Sequence, residues 1–144
     1  MIEQDTIKLL RECDAGVKTG ISSLAEIMDS AKDGDLKRYL SDCKSQHELL
    51  QDEIQTLLDQ YHDDGKNPNP MMKSMSWMKT NAKLAVNGSD STVADLVTDG
   101  CNMGVKSLNK YMNQYKAADE QSKDIAKRLV NMEEQLTHEV RQFL

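Results

Sequence analysis

The chain has 144 residues, long enough for one domain with a substantial core and too short for two comfortable ones. Its 24 acidic residues outnumber 18 basic ones, giving a net charge of −6, so the surface is expected to repel phosphate backbones and anionic lipid, and nucleic acid is not expected as a partner. No stretch nears the roughly 20 apolar residues of a membrane span, and MIEQDTIKLL at the N-terminus has no basic leader pattern, so no membrane span and a cytoplasmic location are expected.

Apolar residues at Ile7, Leu10, Val17, Ile21, Leu24 and Met28 step by three and four and predict a long amphipathic helix over 3–31. Beside this seam lie the small residues Cys13, Gly16, Gly20 and Ser23, whose glycines weaken a helix unless a neighbouring helix approaches closely. Asp33-Gly34-Asp35 stops the helix and caps the next. The second helix has the cleanest register of the chain, with Leu36, Leu40, Cys43, His47, Leu50, Ile54, Leu57 and Tyr61 on one face, which turns His47 inward. Asp63-Asp64-Gly65 ends it. In GKNPNP, Asn69 can cap and Pro70 can open a short helix over 70–87, whose inner face reads Met71, Met75, Met78, Ala82 and Ala85, widened by Trp77. After Gly88, caps within Ser89 to Thr92 precede a third long helix over 91–117, with Val97, Cys101, Val105, Leu108, Met112 and Tyr115 inward. A boundary at Ala117-Ala118-Asp119 leads to a fourth, with Ile125, Leu129, Met132, Leu136, Val140 and Phe143 inward.

Cys13, Gly16, Val17 and Lys18 recur as Cys101, Gly104, Val105 and Lys106, which suggests one helical hairpin used twice. Four helices of about 25 residues, each near 38 Å long, have the proportions of a four-helix bundle. The expectation is an all-α single domain over 1–144, with hairpin one at 3–64, a crossover at 65–90 that runs back along the bundle, and hairpin two at 91–144.

A long crossover between two helical hairpins is similar to the ferritin and rubrerythrin arrangement. The segments ECDAGVKTGISSLAEIM and GCNMGVKSLNKYMNQYKAAD resemble a group of uncharacterised bacterial ferritin-like proteins, and more distantly rubrerythrin-related domains and some spore-coat proteins. The resemblance implies a ferritin-like four-helix bundle with no established activity.

A di-iron bundle needs a carboxylate from each of two helices and Glu-x-x-His from each of the other two. Here Lys44 stands three before His47, Gln135 stands three before His138, and His138 is rotated away from the seam beside Leu136. Asp14 is the only acid on the seam of helix one, and its counterpart on helix three is Asn102. Both motifs are broken, so no metal or other cofactor is expected. What remains is a polar cluster of Asp14, His47, Asn102 and Glu133, favoured as a device that fixes helix register, with iron or another divalent metal as the alternative.

The Met-rich connection, through Met71, Met75, Trp77 and Met78, could grip a partner helix, although burying that face on the bundle is the plainer reading. The three cysteines, odd in number and without a CxxC pair, read as reduced buried thiols. Only Cys43, one turn before His47, has a base at helical distance, and no oxyanion device accompanies it, so an enzyme is not expected. The leading expectation is a non-enzymatic bundle acting by association with a protein, including a second copy of itself. The alternatives are a degenerate metal protein, and a small-molecule binder that would show an apolar cavity beside Gly16, Gly20 and Gly104 where the first expects tight helix contact.

Overall fold

The computed structural model describes residues 2–68 and 89–144, all of whose regular structure is helical. Four long helices, α1 (Ile2–Met28), α2 (Gly34–Gln60), α3 (Asp90–Gln114) and α4 (Glu120–Val140), are followed by a single 3₁₀ turn at Arg141–Phe143. The predicted short helix over 70–87, with Met71, Met75, Trp77 and Met78, lies outside the described residues.

Three acceptor side chains start the later helices. Asp33 accepts from the backbone N–H groups of Asp35 and Leu36, Ser89 from Thr92, and Asp119 from Ser122, each satisfying donors that the first turn leaves unpaired. The predicted boundaries at 33–35 and 117–119 thus hold, while α1 stops at Met28 and α3 at Gln114, each about three residues short of the periodicity-based end. Phe143, expected on the fourth helix, falls in the 3₁₀ turn. The end of α2 is closed by Asp63 N–H donating to Leu58 O and His62 N–H to Asp59 O, with His62 in the left-handed region at φ 55°.

The two hairpins run in opposite senses. Ala117 N–H donates to Asp5 and Asp119 N–H to Thr6 at one end of the bundle, while Lys32 and Asp33 N–H donate to Asp90 at the other. These ties make α1 and α3 antiparallel, so α2 and α3 run the same way and the chain ends α2 at the opposite end from where it begins α3. The principal helix contacts are α1 with α2, α3 with α4, α2 with α4 and α1 with α4, whereas α1 and α3 meet only briefly.

The core falls into two apolar clusters. One gathers Leu9, Leu10, Val17, Leu50, Ile54, Leu108, Ile125 and Leu129; the other gathers Leu24, Ile27, Leu36, Leu40, Val93, Val97, Leu136 and Val140. The α2 seam is as the sequence predicts from Leu36 to Leu57, while Tyr61 falls just past the helix end and is half-buried. On α1, Leu9 and Ile27 are buried and Ile7 and Met28 are only half-buried, because α1 also packs diagonally against α4 and its buried stripe is rotated.

Asp14 is fully buried, and its burial comes from the chain after α2. Its Oδ2 accepts from Lys18 Nζ at 2.8 Å and from Lys66 N–H at 2.9 Å. Gly65, at φ 84°, lies against the carboxylate where a Cβ would collide with it. Arg11 pairs with Asp63 and Glu12 with Lys66, so residues 63–66 are strapped to α1. Asp14→Ala is expected to cost about 2–4 kcal/mol in urea unfolding, since it strands a part-buried N–H and an ammonium, and to speed tryptic cleavage after Lys66. A loss under about 0.5 kcal/mol would mean that the strap contributes little to stability.

Candidate functional site

Between the two apolar clusters lies a polar level. His47 sits between Cys43 and Leu50 on α2, and Glu133 between Leu129 and Leu136 on α4. The two occupy the same place in their helices, equally far beyond the caps Asp33 and Asp119. Each points at a glycine of the neighbouring helix. A Cβ built on Gly20 would stand 2.7 Å from His47 Cδ2 and 2.9 Å from Nε2, and one built on Gly104 would collide with both oxygens of Glu133. The end ties set Gly20 of α1 opposite the Met103–Gly104 level of α3, so both polar tips lie at one height of the bundle.

The small residues do not bring α1 and α3 into tight contact, as a plain reading of the glycines would have it. They leave a cleft of about 330 Å³ between the two helices. Ala15, Gly16, Thr19, Gly20 and Ser23 form one wall and Gly100, Gly104 and Ser107 the other. Leu24, Ile27, Leu96 and Val97 close one end, Glu12, Lys66, Pro68 and Tyr111 stand at the other, and the lining also includes Cys43, His47, Cys101, Leu129, Glu133 and Leu136. The volume is at the small end of the roughly 300–1,000 Å³ typical of ligand pockets.

His47 is buried, with Nδ1 2.8 Å from the Cys43 carbonyl oxygen. A carbonyl only accepts, so Nδ1 carries the hydrogen and the neutral ring keeps a lone pair on Nε2. Burial lowers the ring's pKa, and the bond to the Cys43 carbonyl offsets this in part. Glu133 is the opposite case. Burial pushes its carboxyl up to about 8, so it holds a proton at neutral pH, and Oε2 is out of solvent with no hydrogen-bond partner. The Cys43 thiol is pushed up to about 12 by burial and then by the nearby Glu133, and burial also raises Cys101; both stay protonated at neutral pH.

The predicted polar cluster therefore needs correction. His47 and Glu133 line one cleft, but Asp14 lies nearly two turns away along α1, engaged with Lys18 and Lys66, and Asn102 is exposed. Asn102 matches Asp14 in helix register, yet Asp14 has residues 65 and 66 packed against it and Asn102 is exposed. A di-metal centre built on Asp14, His47, Asn102 and Glu133 does not fit this arrangement. Among the described residues no three His, Cys, Asp or Glu side chains are grouped to hold a metal ion. His138 is exposed, as its rotation predicted. The sequence grouped His47 with Glu133 but did not show that these two alone of the four line the cleft, for which their equal spacing from two capping aspartates was the available signal.

Compared with models of known protein families, with characterised proteins and with solved structures, the chain matches none. No described helix is long and apolar enough to cross a membrane.

Two outcomes test this geometry. Among the described residues Gly16 has only Leu129 Cδ2 near its missing Cβ, at 3.7 Å, so Gly16→Ala is expected to raise stability by about 0.5–1 kcal/mol in urea unfolding through helix propensity. Gly20→Ala, which forces the rigid His47 ring to move, is expected to lower it by about 1–3 kcal/mol. Equal stability of the two variants would show that the ring does not rest on Gly20.

The acid has a second signature. A carboxyl raised in the folded state costs nothing below its unfolded pKa near 4.5 and destabilises increasingly as pH climbs towards 8. Glu133→Gln should therefore match the wild type near pH 4.5 and exceed it by about 1.4 kcal/mol more per pH unit above that, to roughly 3 kcal/mol at neutrality. A pH-independent difference would place the carboxyl in water.

Proposed function

We propose that this protein binds a small, largely apolar molecule in the cleft between α1 and α3, and holds its polar group between His47 and Glu133. The observation that carries this reading is the unpartnered Glu133 carboxyl on the lining of a cleft of about 330 Å³ whose other walls are glycine, small and aliphatic side chains. A carboxyl needed only to set helix register would be expected to have a partner in the chain. Binding rather than catalysis is supported by the chemistry at hand, in which the imidazole is engaged with a backbone carbonyl and both thiols are protonated.

The proposal includes a ferritin-like origin. The opposed senses of the two hairpins, the end of α2 and the start of α3 at opposite ends of the bundle, and the matched positions of His47 and Glu133 all support a duplicated hairpin of that type. In this reading the interior level that a ferritin-like protein gives to metal is given to an organic guest. Association with another protein, through an exposed helix face or through Met71, Met75, Trp77 and Met78, was the leading expectation from sequence; those four residues lie outside the described ones.

The test is calorimetric titration with octan-1-ol as a neutral probe. The wild type is expected to bind it at one site and to gain thermal stability with concentration. Gly16→Leu, which extends a side chain into the cleft without disturbing His47 or Glu133, should keep its helical circular dichroism and lose at least tenfold in affinity. Saturable binding that Gly16→Leu leaves unchanged, or no binding to either protein, would rule out the cleft as a binding site.

A further inference from the structure

The class of guest can be taken further, on the reading that the cleft is a binding site. Both polar groups at mid-cleft offer lone pairs. His47 Nε2 has no proton, because Nδ1 carries the ring hydrogen to the Cys43 carbonyl. Glu133 presents two carboxyl oxygens beside Gly104, one of them buried without a partner. Among the described residues, Cys43 of α2 and Cys101 of α3 lie near Glu133 and are poor donors, and His47, Leu129 and Leu136 share the lining with it. At the far end stand Glu12 of α1 and Tyr111 of α3. Among the described residues lining the cleft, Lys66 is the sole cation. It is at that far end, already held by Glu12 Oε1 at 2.6 Å. Among the described residues the interior thus has a carboxyl and no cation to meet it, in a chain whose net charge of −6 draws cations towards it.

We propose that the cleft takes a primary amine carried on an apolar body, its ammonium N–H groups donated to the Glu133 carboxylate and to His47 Nε2. The ammonium supplies three donors where the chain supplies acceptors, and the aliphatic walls take the body. Binding is coupled to a proton. Free Glu133 holds one at neutral pH, and a cation beside it favours the charged carboxylate, so the proton leaves to solvent as the amine arrives with its own charge intact.

Calorimetric titration of the full chain with octylamine, octan-1-ol and sodium octanoate, in buffers of different ionisation enthalpy, tests this. Octylamine should bind at least tenfold tighter than octan-1-ol, release close to one proton per molecule at pH 7, and gain nearly tenfold in affinity per unit between pH 6 and 7.5. Glu133→Gln should abolish the proton release and lose at least tenfold in amine affinity while still binding octan-1-ol, which shows the cleft intact. Non-specific attraction of the amine to the acidic surface would survive that substitution, and its survival would overturn the proposal. So would octan-1-ol or octanoate binding as tightly as octylamine, or amine binding without proton release; in those cases the cleft remains a binding site for a different guest. If neither octylamine nor octan-1-ol binds, the cleft reading falls and this proposal falls with it.

Discussion

The fold turns on how two polar side chains are accommodated at the middle of an otherwise apolar bundle. Four helices of this length could close on a continuous core of leucine and valine, and above and below the middle they do. At the level of His47 and Glu133 they cannot. The imidazole and the carboxyl are too large and too polar to interleave with aliphatic side chains, so each is turned against a helix surface from which the Cβ has been removed. Gly20 and Gly104 are necessary for that, and their lack of side chains leaves α1 and α3 with little to touch one another through. The separation of these helices, the cleft between them and the division of the core into two clusters are consequences of one packing requirement.

The two halves of the molecule meet this requirement in the same way. In each hairpin a capping aspartate starts the return helix, and an equal run of residues brings a polar side chain to the level of a glycine: Gly20 on the same hairpin for His47, and Gly104 for Glu133. The chemistry placed there differs. One is a base kept neutral by burial, the other an acid kept neutral by burial. The site therefore joins unlike groups on a common frame, and neither neutralises the other by ionising.

Much of this frame was legible in the sequence, and the reasons for the rest are physical. The strict alternation along α2 put Leu36, Leu40, Cys43, His47, Leu50, Ile54 and Leu57 inside, because a helix in contact with both α1 and α4 has a well-defined buried face. Periodicity states which residues face inward; it is silent on how far apart two facing helices stand. The row of Gly16, Gly20 and Gly104 could thus equally announce tight contact or open space, and only the side chains arriving from α2 and α4 decide between them. Asp14 and Asn102 show a second limit. They share a register position, and their burial is opposite because coverage came from a loop strapped across α1, which no helical pattern encodes.

The two interior acids, Asp14 and Glu133, differ in what the chain offers them. Asp14 has an ammonium and a backbone N–H as partners, and its carboxylate holds the end of α2 to α1; its place is explained by the chain alone. Glu133 has neither. Keeping it protonated near neutral pH, against an ordinary value of 4.5, costs the folded state on the order of 3 kcal/mol, a large share of the roughly 5–15 kcal/mol by which a domain is stable. A glutamine would fill the same space against Gly104 and bring no ionisation cost. In the proposed reading, a group that is expensive to the fold and replaceable in shape is kept for what it can do when a guest enters the cleft, and what a carboxyl can do that an amide cannot is give up a proton and accept a cation.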